Sequence, residues 1–178
     1  LVDLIEYLTT LQTASFTVPV WELVGPFDNG EGMAGLDKVY PPEKELGKAI
    51  DPKAEYAGKH GKVRWTTTRP NTAGYVDLAA YHGEKSPQTV TYLATKVESP
   101  TEQKAELSLG SDDGLKVWVN GTLVHTSRAT RAAAPDQERV TMTLKKGINQ
   151  VVVKINNGDG PHGLYFTLRS EQEVKSAR

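Results

Sequence analysis

The sequence predicts an all-β chain, a single antiparallel β-sandwich with a short helix at its N-terminus. Three observations predict it. From residue 63 onward, short runs rich in Val, Ile, Thr, Tyr and Leu follow one another at ~8–12-residue spacing, separated by turn-forming Gly, Asn and Asp. Several runs alternate apolar with polar residues, Leu107 and Leu109 in one, Val140, Met142 and Leu144 in another. A period of two gives one dry face and one wet face. No helical pattern alternates with these runs, which argues against a parallel α/β sheet.

Taken in order, Leu1, Leu4, Ile5, Leu8 and Leu11 have helical spacing, with Asp3 and Glu6 on the opposite face. The stripe needs a cover. It reads either as a helix docked on the domain that follows or as the last helix of a domain that precedes. Residues 1–14 are therefore set apart from a sandwich module at 15–172 and a tail at 173–178. Phe16 to Phe27 is a β-rich run with a Gly-Pro turn at its end. Residues 28–62 are polar and rich in Gly, Pro, Lys and Glu, which predicts a long ordered loop with one helical turn near Glu43–Leu46. Strands are then predicted at 63–68, 75–81, 89–97, 104–109, 115–119, 123–126, 139–144, 149–155 and 163–169. Asn120-Gly121 between two β-runs is a hairpin signal, because both positions must accept positive φ. Lys145-Lys146-Gly147 and Asn156 to Pro161 mark two further turns.

Composition narrows the function. A chain of 178 residues can bury a core without staples. The absence of Cys removes disulfides, thiolate metal sites and a Cys nucleophile. With 21 basic and 22 acidic residues, net charge −1, no field of one sign is available to hold nucleic acid. No apolar run approaches the ~18 residues that span a bilayer. The chain opens on Leu1 with no basic-then-apolar segment, which reads as a processing boundary. Scattered acids, the lack of a Gly-x-Ser-x-Gly elbow and the lack of HExxH spacing among His60, His82, His125 and His162 predict that it is not an enzyme. The four histidines are expected at the surface.

Gly110-Ser-Asp-Asp-Gly-Leu-Lys-Val-Trp-Val-Asn-Gly121 resembles the core hairpin of galactose-binding-like jelly rolls that accompany bacterial glycoside hydrolases. It also resembles the Asp-Asp-Gly strand of protective-antigen-type lectin domains. Trp21 to Phe27, Pro41 to Glu43, Arg131 to Gln137, Leu144 to Asn149 and Val153 to Gly158 agree with it, so the likeness covers about residues 16–170. It implies an antiparallel jelly-roll β-sandwich. Leu1 to Leu11 is similar to the closing helix of c-type cytochrome domains, which large exported planctomycete-type multidomain proteins place beside sandwich modules. That implies an extracytoplasmic (periplasmic or secreted) multidomain parent. The haem-attaching motif is not in this segment.

The resemblance also implies site residues. In the lectin-type relatives two consecutive aspartates bind Ca²⁺, and Asp112 and Asp113 stand at those positions; Ser and Asp before Gly also make Asx-type turns. Jelly-roll modules often hold a structural calcium away from the ligand, and Asp28 and Asp37, with Asn29 and Glu43, are the oxygen donors in the long loop. Sugar sites need aromatic faces, for which Trp65 and Trp118 are the candidates, with Trp21, Tyr75 and Tyr81 also considered; buried aromatics are more often core. Trp118 alternates against Val117 and Val119, so it faces away from the core if they face in. Arg128 and Arg131, in the loop after the hairpin, suit acidic groups or vicinal hydroxyls, or an ion pair with Asp136 or Glu138. The expected function is non-catalytic glycan binding by an accessory module that tethers its parent to a polysaccharide. The alternative is a structural or protein-interaction sandwich docking a neighbouring haem or enzyme domain of the parent chain.

Overall fold

A computed structural model describes residues 14–83 and 86–177. The predicted N-terminal helix, with the domain boundary resting on it, lies outside the described residues. In chain order the elements are β1 (Ala14–Phe16), β2 (Trp21–Asp28), α1 (Ala34–Asp37), a 3₁₀ turn (Pro41–Glu45), β3 (Glu55–Gly58), β4 (Gly61–Arg64), β5 (Thr66–Thr68), β6 (Tyr75–Asp77) and α2 (Leu78–His82). Then follow β7 (Thr89–Ser99), β8 (Gln103–Asp112), β9 (Gly114–Val119), β10 (Thr122–Ser127), β11 (Glu138–Leu144), β12 (Gly147–Asn157), β13 (Gly163–Ser170) and β14 (Lys175–Ser176).

The strands form two facing antiparallel sheets. The five-stranded sheet runs β1-β13-β8-β11, with β6 also on β13; the seven-stranded sheet runs β10-β9-β12-β7-β2-β5, with β14 also on β7. Leu107, Leu109, Leu164, Phe166 and Leu168 from the first meet Leu23, Leu93, Leu115, Val117, Val151 and Val153 from the second in one dry core. The predicted antiparallel β-sandwich is the observed one, and the alternating positions Val140, Met142 and Leu144 all point into that core.

A second apolar cluster lies on the outer face of the seven-stranded sheet. Val24, Phe27, Val90, Tyr92, Trp118 and Val152 are roofed there by Tyr40, Tyr56 and Trp65. The roof is the segment 29–65, which holds α1, the 3₁₀ turn and the isolated β3–β4 hairpin. β7 is therefore buried on both faces, which is why Thr89 to Ala94 reads as a continuous β-run without alternation.

Several local expectations differ from the structure. The strand predicted at 63–68 breaks at Trp65 into the end of β4 and β5. The strand predicted at 75–81 stops at Asp77, whose carboxylate accepts from Ala80 N at 2.7 Å and starts α2. Residues 174–177, in the predicted tail, are held on the sandwich, Ala177 N donating to Lys96 O. Val174 is buried, and Lys175 and Ser176 pair with Glu98 and Val97 of β7. The hairpin turn is as predicted, with φ of 51° at Asn120 and 79° at Gly121. No described helix is long and apolar enough to cross a membrane.

Candidate functional site

The Asp-Asp pair stands where β8 gives way to β9, at one end of the sandwich, and the peptide between Asp112 and Asp113 is cis. Both residues are buried. Asp113 spends its two carboxylate oxygens on backbone: Oδ1 accepts from Arg131 N at 2.9 Å and Oδ2 from Gly158 N at 3.0 Å. It thereby ties the 128–137 loop and the β12–β13 turn to this corner. Asp112 has a backbone N–H bond from Ala133 and no side-chain cation partner among the described residues. Burial, and then the neighbouring Asp113 charge, push its carboxyl up to about 6.

Arg131 joins the same corner. Its Nε lies 3.4 Å from Ser111 O, and its guanidinium pairs with Glu138 at 2.5 Å. Glu138 also meets His125. The structure thus gathers Asp112, Asp113 and Arg131, and Arg131 makes one of the two ion pairs considered from sequence.

Arg128 is elsewhere. It bonds Asp37 at 2.6 Å, and Lys116 reaches the same carboxylate oxygen at 3.2 Å. The hydrogen bonds from Arg128 and then Lys116 hold Asp37 down at about 2. Asp28 lies 3.4 Å from Lys59 Nζ. Asp28 and Asp37 therefore face cationic side chains in this structure. Among the described residues no three His, Asp or Glu side chains gather as a metal site.

The tryptophans are packed rather than presented. Trp118 does face outward from the core, but under the roof, at 7% exposure. Trp65 is 8% exposed and donates its Nε1–H to Tyr56 Oη at 3.3 Å. Trp21 is in the main core, edge-on to Phe166. Among the described residues Tyr81 is the exposed ring, at 44%.

The structure also brings polar groups together in pairings that the sequence did not predict. Lys154, fully buried, bonds Glu43 and the carbonyls of Leu36 and Lys38. His82 and His162, expected at the surface, are buried and stacked 5.8 Å apart. Burial pulls His82 down to about 4; burial and then the His82 charge pull His162 down to about 3. Asp136, Arg169 and Tyr165 meet in a cleft on the outer face of the five-stranded sheet. Its one legible signal was the i, i+2, i+4 placement of Tyr165, Thr167 and Arg169 between core residues.

No protein-family model matches the chain, and no curated protein does. Solved structures do. A GH2 β-galacturonidase from Eisenbergiella tayi bound to glycerol matches with a TM-score of 0.50 at 12% identity, over 89% of this chain and 24% of that one. The β-glucuronidase of Ruminococcus gnavus matches with a TM-score of 0.54 at 14% identity, over 89% and 29%. Its complex with D-glucuronic acid gives 0.54 at 15%, over 89% and 30%. At such identity the likeness is one of fold. The chain spans less than a third of these glycosidases' own lengths and matches β-sandwich domains within them.

Proposed function

We propose that this chain is a non-catalytic carbohydrate-binding accessory module of a larger extracytoplasmic protein, holding that parent near a polysaccharide. The observation that carries the reading is the coverage: nearly the whole chain superimposes on a part of each glycosidase, as an accessory domain would. Tethering of this kind works through effective concentration and needs only weak binding. A fold hosts many functions, so the site must be tested directly.

The experiment is affinity electrophoresis and calorimetry of the 178-residue chain against a panel of neutral and acidic polysaccharides, with calcium and with chelator. Calcium is a variable because Asp112 keeps a carboxylate without a cation partner. Retardation by one class of polymer supports the reading. Absence of binding at millimolar sugar, or hydrolysis of aryl glycosides above buffer rate, overturns it.

A second reading, a structural sandwich that docks a neighbouring domain of the parent, is favoured by one observation. All three tryptophans are under 9% exposed, so none offers an open stacking face. Binding of the purified neighbouring domain, with no retardation by any glycan, would select it.

A further inference from the structure

The outer face of the five-stranded sheet is indented by a cleft of about 340 Å³. Its floor is Ser108 of β8 with Tyr165, Thr167 and Arg169 of β13. Its walls are two turns, Asn71–Gly74 and Pro135–Asp136. The volume is at the small end of the ~300–1,000 Å³ of small-molecule sites, which suits one sugar ring better than an extended chain.

The polar groups in the cleft are built in place. Asp136 sits at φ 56°, a left-handed conformation that Asp and Asn tolerate better than other side chains. The Ser108 hydroxyl, itself 4% exposed, donates to Asp136 Oδ1. Arg169 donates to the same oxygen through one terminal nitrogen, at 3.0 Å, and to Glu106 through the other, at 3.2 Å. Those bonds, the one from Ser108 first and the one from Arg169 next, hold the Asp136 carboxyl below its ordinary value. Asp136 Oδ2 takes no hydrogen bond among the described residues, and a guanidinium has five N–H groups, of which these contacts use two.

Beside this pair lies an aromatic surface. Tyr165 is half-buried and packs on Tyr75, ring centroids 5.0 Å apart and planes inclined by 41°. Its flanks in sequence, Leu164 and Phe166, are core, so the strand's alternation fixes Tyr165 on the outer face.

We propose that this cleft binds a single pyranose unit of a neutral saccharide, with Asp136 and Arg169 gripping two hydroxyls on adjacent ring carbons and Tyr165 covering the C–H face. Oδ2 accepts from one hydroxyl while a free guanidinium N–H donates to its neighbour, a side-by-side acceptor and donor that a vicinal diol matches. Neutrality follows from the charges. Arg169 and Arg139 are already matched by Glu106 and Asp136, so the cluster carries no net charge, and an ionised Asp136 at the centre repels a carboxylate or sulfate. The assignment rests on the carbohydrate-binding reading above, and it places the ligand away from the Asp112–Asp113 corner.

The test is a protein-observed NMR titration of the ¹⁵N-labelled chain with the methyl glycosides of glucose, galactose, mannose and fucose, and with glucuronate. Asp136→Asn keeps the shape and tolerates the backbone angle; Arg169→Met keeps the stem; Glu31→Gln, an exposed position on the other sheet's side, is the control. The expected result is that one neutral glycoside shifts amides of 71–74, 136–137 and 165–169. Its affinity then falls at least tenfold in the first two variants and stays unchanged in the third. A circular-dichroism melt of each variant shows that it is folded. Shifts confined to another surface, wild-type affinity in both cleft variants, or tighter binding of glucuronate overturn the assignment. If polysaccharide retards the wild type but no cleft amide moves, the cleft is wrong and the module reading stands. If neither polysaccharide nor glycoside binds, both fall.

Discussion

Lys154 places its Nζ 2.7 Å from Oε1 of Glu43, a residue 111 positions earlier in the chain, with no part of its own side chain exposed. The same carboxylate oxygen accepts the Tyr92 hydroxyl at 2.5 Å, and the ammonium stands 4.9 Å from the Tyr40 ring centroid. Lys154 and Tyr92 belong to the seven-stranded sheet; Glu43 and Tyr40 belong to the roof. This ion pair is the buried polar tie between the two, set beside the apolar packing of Tyr40, Tyr56 and Trp65.

Lys154→Met should therefore loosen the roof more than the sandwich. Removing one partner strands the Glu43 carboxylate, 11% exposed, at a cost of about 3 kcal/mol. Adding Glu43→Gln to Lys154→Met should recover part of that loss, because the stranded charge is gone. Urea denaturation of the two single variants and the double gives the coupling. Hydrogen exchange should show faster opening of 29–54 than of β8. Equal loss of protection in both regions would contradict the clamp.

Acid should destabilise the protein through His82 and His162. Both titrate near 6.5 when unfolded, whereas burial holds them near 4 and near 3 in the fold. Below about pH 6.5 the unfolded chain binds more protons than the folded one, so stability falls as pH falls and continues falling to about pH 3–4. The shift at His82 alone corresponds to about 3 kcal/mol. Denaturation midpoints at pH 8, 7, 6 and 5 should be flat and then decline, and the ¹³C resonances of His82 and His162 in the folded protein should not titrate above pH 5. A buried imidazole titrating near 6.5 would sink the account.

Asp112 acts with the opposite sign. Its folded value is raised to about 6, by burial first and Asp113 second. Between about pH 4 and 6 the folded state binds more protons than the unfolded chain, so this residue's contribution to stability falls as pH rises through that window and is lost above about pH 6. Asp112→Asn, a neutral isostere, should therefore stabilise the protein at pH 7–8, by on the order of 1–3 kcal/mol. The gain should shrink as pH falls through 6 and vanish near pH 4. Parallel denaturation of wild type and variant across that range measures it, and a gain independent of pH would contradict the cause.

The residues legible in sequence are those whose environment is set by their own strand. Val140, Met142 and Leu144 face one dry core, so period two reports them directly. Asn120-Gly121 is legible because its backbone angles are local. The alternation around Trp118 gave its outward direction correctly, but exposure depends on a roof supplied by residues 29–65. The β3–β4 hairpin was invisible because only Tyr56 and Val63 mark its buried face, between charged residues. His162 is buried because α2 docks on it, Leu78 N and Ala79 N both donating to its carbonyl. Asp136 meets Ser108 and Arg169 from 28 and 33 residues away, a pairing that no window of sequence contains.

Gly110 tests how tightly the 128–137 loop is seated. It lies in β8 on the outer face of the five-stranded sheet, opposite Tyr165. A Cβ there would stand 1.7 Å from the carbonyl oxygen of Ala134, a backbone atom. Backbone cannot swing aside as a side chain can, so the loop must lift. Gly110→Ala should cost about 2–3 kcal/mol, and the lift should move Pro135 and Asp136 with it. The variant should therefore lose the sugar-dependent amide shifts of the cleft, while Gly32→Ala, which meets nothing within 4 Å although φ is 55°, should leave them intact. Retained cleft binding in a folded Gly110→Ala protein would mean that Asp136 is positioned by Arg169 and Ser108 alone, independently of how the loop lies on β8.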